Sequence, residues 1–85
     1  METVQIALQI PRSALSSMRQ EPDEFAQEMR RAAAVKWYEM QLISQSKAAE
    51  IAGVSRSEFF DLLSRFHVSP FQYEVQEVLG ELRNE

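Results

Sequence analysis

Residues 44–66 read SQSKAAEIAGVSRSEFFDLLSRF, and few folds accommodate that run. Ser44 is a helix N-cap residue type, whose hydroxyl can accept a backbone N–H of the first turn. It opens a helix over about Gln45 to Ala52. Ala48, Ala49 and Ala52 give that helix small packing surfaces, and Ile51 adds bulk. Gly53 follows, where a sharp reversal favours a left-handed residue, the conformation glycine adopts without strain. Val54 is an apolar plug between two helices, and Ser55 is a second N-cap. Glu58, three residues on, completes a capping box. Phe59, Leu62, Leu63 and Phe66 then form one inward stripe. Two helices over a short glycine turn, with small residues at the crossing, are the parts of a helix-turn-helix.

The rest of the chain is read around that unit. With 85 residues and no cysteine, one small domain is expected, without disulfides or a cysteine zinc site to support it. A core of this size is marginal alone, which favours a homodimer. The 45% hydrophobic content is that of a globular domain. No apolar run reaches the roughly 20 residues of a membrane span. No basic stretch followed by an apolar run marks a signal peptide, so the cytoplasm is the expected compartment.

Four segments are expected. Residues 1–20 hold a strand and a short helix and supply dimerisation. Val4, Ile6, Leu8 and Ile10 alternate with Thr3, Gln5, Ala7 and Gln9, the period of a half-buried strand that Pro11 ends. Such a strand needs a partner for its backbone groups, which again favours a dimer. Arg12 to Met18 forms the short helix, with Ala14, Leu15 and Met18 inward. Residues 21–43 hold a long amphipathic helix from about Pro22 to Met40. Pro22, Asp23 and Glu24 suit its first turn. Phe25, Met29, Ala33, Trp37 and Met40 recur at helical spacing and read as its core face. Residues 44–66 are the helix-turn-helix. Residues 67–85 hold an irregular stretch and an acidic helix marked by Val75, Val78, Leu79 and Leu82, weakened by about 1 kcal/mol at Gly80. The fold class expected is mainly α with a short N-terminal β-strand and a helix-turn-helix core.

In function the pattern points to double-stranded DNA. The second helix of such a unit enters the major groove by its N-terminal end, which exposes Ser55, Arg56, Ser57, Phe60 and Asp61. Arg56 suits a bidentate contact to guanine, and Phe60 suits a thymine methyl. Ser44, Gln45, Ser46 and Lys47 open the first helix and suit phosphate, as does Arg65. The net charge of -4 and pI near 5.0 exclude a general nucleic-acid coat, but not a sequence-reading dimer with a local basic face. Glu58 and Asp61 oppose phosphate. Glu58 is accounted for by its cap, and Asp61 could pair with Arg65 four residues on.

Ile43 to Leu63 resembles a family of small uncharacterised prokaryotic proteins regarded as antitoxins, partners of toxins with a PIN-like nuclease domain. The matching residues are Tyr38, Ile43, Ser44, Lys47, Ala48, Ala49, Glu50, Ala52, Gly53, Ser55, Arg56, Glu58, Phe59, Leu62 and Leu63, then Tyr73. The family's glycine before the helix-turn-helix is replaced by Gln41, which would have to turn left-handed at a cost of about 1 kcal/mol. The next, basic, position holds Leu42, removing one phosphate contact. The resemblance implies promoter binding as a dimer and silencing of a toxin. The toxin-facing residues would be Tyr73, Val75, Val78, Leu79, Leu82 and Arg83. Arg83 is the cation suited to a nuclease site lined with carboxylates.

Two other readings use the same residues. A strand followed by helices resembles half of a ribbon-helix-helix repressor, in which Thr3, Gln5, Ala7 and Gln9 would read the groove. Alternatively, the helix pair is packing only and the acidic C-terminus docks a partner. Enzymatic chemistry is the weakest reading. His67 is the single histidine, and Gly53 and Gly80 form no phosphate loop. No metal, cofactor or small-molecule substrate is expected.

Overall fold

The computed structural model describes residues 2–70. Four helices follow one another: α1 (Arg12–Met18), α2 (Pro22–Glu39), α3 (Gln45–Ala52) and α4 (Arg56–Arg65). Their starts follow from local chemistry. Pro22 occupies the first turn of α2, and Glu21 and Glu24 form a reciprocal capping box before it. Asp23 and Glu24 lie at the positive end of the helix dipole.

The helix ends share one device. Gln20, Leu42, Val54 and Val68 each donate a backbone N–H to the carbonyl five residues back, at 2.8–3.1 Å. The residue before each is left-handed: Arg19 (φ 54°), Gln41 (64°), Gly53 (73°) and His67 (58°). This closure satisfies carbonyls that the last turn leaves without partners. Gln41 thus adopts the strained conformation that its sequence position demanded.

The core lies where α2, α3 and α4 meet. It contains Ala34, Val35 and Tyr38 of α2, the three alanines of α3, Phe59, Leu62 and Leu63 of α4, and Val68. The Tyr38 and Phe59 rings meet edge to face at 5.7 Å. Tyr38 is 1% exposed, and its hydroxyl donates to the Pro70 carbonyl at 2.7 Å, so its polar tip is satisfied.

Two expectations are corrected. The N-terminal β-strand is not formed: among the described residues the regular structure is helical throughout. Alternation sets which side chains share a face, but a strand exists only when a neighbour completes its ladder. No backbone hydrogen bond joins residues 2–10 to another described segment, and Val4 and Ile6 are 85% and 75% exposed. The ribbon-helix-helix reading loses its element with it. The α2 stripe is also not the core. Phe25, Met29 and Ala33 are half-buried, while Trp37 and Met40 are exposed. The alanine face of α3 admits the smaller Ala34 face of α2 instead, with Tyr38 reaching α4. The displaced stripe lines an open groove of about 1100 Å³, with Leu15, Ile51 and the apolar side chains of residues 4–10 around it. In α1, Ala14 and Leu15 are half-buried, but Met18 is exposed rather than inward. The expected acidic helix, with Tyr73, Val75, Val78, Leu79, Leu82 and Arg83, lies outside the described residues.

Candidate nucleic-acid interface

The helix pair α3–α4 forms as its residues require. The Ser44 hydroxyl accepts the Lys47 N–H at 3.1 Å and caps α3. The Ser55 hydroxyl accepts the Glu58 N–H at 3.1 Å, and the Glu58 carboxylate accepts the Ser55 N–H at 2.9 Å, a complete capping box on α4. The hydrogen bond from the Ser55 backbone N–H, then that from its hydroxyl, holds the Glu58 carboxyl below the usual carboxylate range. Arg31 of α2 adds a favourable charge. Glu58 is therefore an anion committed to its own helix start.

Gly53 turns the chain, and space as well as φ restricts that position. A Cβ there would lie 3.1 Å from the Nη2 of Arg30 and 3.3 Å from its Nη1. Arg30 reaches across from α2, donating from Nε to the Ile51 carbonyl at 2.8 Å and from Nη2 to the Glu50 carbonyl at 3.5 Å. Its charge lies at the negative end of the α3 dipole, where a cation is favoured. Sequence reading missed Arg30, because its partners are backbone carbonyls some twenty positions away, which no local pattern encodes.

Around the start of α4 the outer face is open and the inner face closed. Ser55, Arg56, Ser57, Phe60 and Asp61 are exposed, and Phe60 keeps 40% of its surface in solvent. Phe59, Leu62 and Leu63 on the other side are 0–5% exposed. Ser44 and Ser46 at the start of α3 are exposed too. The two helix starts are joined directly: Arg56 Nη2 donates to Gln45 Oε1 at 2.7 Å. Gln45 is buried, which its expected role as an open phosphate contact did not anticipate.

The other expected cations have partners. Lys47 pairs with Glu50 at 2.7 Å and lines the apolar groove. Arg65 does not pair with Asp61; it reaches Glu28 of α2 at 3.5 Å and lies over the Phe66 ring at 5.8 Å. Exposed pairs of this kind contribute about 0–1 kcal/mol, so either cation can leave its partner at little cost. Among the described residues no cluster of three or more histidines and acids is placed to hold a metal, and no helix is long and apolar enough to cross a membrane.

A model of an uncharacterised protein family matches residues 1–84 of the chain. No curated protein and no solved structure matches it.

Proposed function

The chain belongs to the uncharacterised protein family UPF0175, and from that premise we propose that it is a DNA-binding antitoxin, acting as a homodimer that reads its own promoter and silences a PIN-like nuclease toxin. One observation carries the DNA half of this reading. The first turn of α4 presents Arg56, Ser57 and Phe60 to solvent, while the opposite side of the same helix is locked into the core by Phe59, Leu62 and Leu63. A rigid helix with a free leading end is what major-groove entry needs. Arg56 then donates to a guanine edge, and Phe60 covers a thymine methyl. Ser44, Ser46 and the first N–H groups of α3 take phosphate, with Lys47 and Arg65 released from their surface pairs to assist. Gln45 acts from beneath rather than on the phosphate itself.

The homodimer is supported by the uncovered apolar surface. Residues 3–11 carry no charge and face the groove lined by Phe25, Met29 and Trp37, so a second copy can cover both without like charges meeting. The toxin half rests on the sequence resemblance. Arg83 among the acidic residues of 67–85 is its proposed contact with the nuclease carboxylates.

The test is fluorescence anisotropy with a duplex from upstream of the chain's own gene, against a shuffled duplex of equal length, at two salt concentrations. The native chain should prefer the upstream duplex and weaken as salt rises. Arg56→Ala should remove the preference, costing roughly five- to tenfold in discrimination, while retaining salt-sensitive binding. No binding at the lower salt would leave a protein-interaction module instead. Sedimentation of the same sample reads the oligomeric state, and a monomer at DNA-binding concentrations refutes the dimer.

A further inference from the structure

We propose that Gln45 is a positioning residue that presets Arg56 for base reading, an inference that rests on the DNA-binding function above. Among the described residues Gln45 is the buried polar side chain, 8% exposed, although it stands at the first position of a surface helix. Its Oε1 accepts from Arg56 Nη2 at 2.7 Å, while its buried Nε2 has no partner. These two facts are linked. A guanidinium only donates, so the amide must turn its oxygen toward Arg56, and its NH2 then faces inward, where nothing accepts it. A buried amide with unpaired donors lowers stability, and an apolar side chain of the same size would avoid that penalty. Stability alone therefore does not account for Gln45; holding the guanidinium does.

The consequence lies in the entropy of binding. Arg56 is exposed and long, and an unrestrained arginine loses much rotamer freedom when a base edge fixes it. The bond to Gln45 restricts it beforehand and uses one of its five N–H donors. Four remain for a bidentate contact. Because Gln45 belongs to α3 and Arg56 to α4, the same bond sets the guanidinium relative to the helix start that takes phosphate. Base contact and backbone contact are thereby held in one register.

Gln45→Met is the decisive variant, since it keeps the volume and removes the acceptor. Discrimination is read as the ratio of affinities for the upstream and shuffled duplexes. It should fall by roughly five- to tenfold in Gln45→Met, toward the Arg56→Ala value. The midpoint of thermal unfolding should stay level or rise, the opposite of what a purely structural glutamine would give. Adding Arg56→Ala to Gln45→Met should cause no further fall. Unchanged discrimination in Gln45→Met beside reduced discrimination in Arg56→Ala would overturn the inference and leave the DNA reading intact. So would independent, multiplying losses in the double variant. If Arg56→Ala itself keeps full discrimination, the reading by Arg56 fails and the inference with it. A measurement without DNA guards against poor folding of Gln45→Met: nitrogen-15 NMR of the native arginine side chains should show hindered Arg56 guanidinium rotation. Free rotation there refutes the proposal.

Discussion

Replacing Gly53 with alanine tests the turn on which the α3–α4 pair depends. Two effects add. The backbone at φ +73° lies in the left-handed region, where a Cβ costs about 1–2 kcal/mol. The new methyl would also lie 3.1–3.4 Å from the Arg30 guanidinium, tighter than an ordinary contact. That group must shift by a few tenths of an ångström, which lengthens its 2.8 Å bond to the Ile51 carbonyl. A hydrogen bond from a charged donor is worth about 1.5–3 kcal/mol, but this one is exposed and the side chain is flexible, so about 0.5–1 kcal/mol is the share lost. Gly53→Ala should therefore cost about 2 kcal/mol, read by urea unfolding followed by circular dichroism. The same substitution in an Arg30→Ala background meets no guanidinium and should cost about 1–1.5 kcal/mol, the backbone share alone. An equal cost in both backgrounds would show that Arg30 does not crowd the turn. A cost under about 0.5 kcal/mol in the native background would refute the left-handed assignment itself.

Two further outcomes follow from the same helix ends. Gln41→Gly removes the strain at φ 64° and should raise stability by up to about 1 kcal/mol in the same urea assay, with a loss of stability contradicting the closure described for α2. Glu58 gives a pH signature. Its carboxyl is held below the usual range in the folded chain, so the stability it contributes is complete above the ordinary glutamate pKa and is lost as pH falls through the lowered one. The advantage of the native chain over Glu58→Gln should shrink on acidification from neutral pH through the carboxylate range; a difference that does not change with pH would remove the hydrogen-bonded anion from the account.

Much of the local architecture was legible in the residues alone. The serine caps at Ser44 and Ser55, the Glu58 capping box, the Gly53 reversal, the Pro22 start of α2 and the left-handed Gln41 all involve partners within a few positions along the chain. Those interactions are decided by backbone geometry and residue type, so reading along the chain recovers them. The exposed leading end of α4 followed from the same periodicity that buried Phe59, Leu62 and Leu63.

What stayed hidden depends on which surfaces meet. An 18-residue helix carrying both a Phe–Met–Trp stripe and an Ala–Val–Tyr stripe can bury either, and periodicity ranks them by hydrophobicity alone. The alanine face of α3 selected the stripe that could approach closely, and the larger side chains were left on the groove. The alternation of residues 3–10 likewise described a face without supplying the neighbour that makes a strand. Gln45 went inward and Arg30 found carbonyls of a different helix for the same reason. Caps and turns, then, belong to the chain's own order, because their partners are a few bonds away; the choice of buried face and the company of each charged side chain arise only when distant segments compete for the same space.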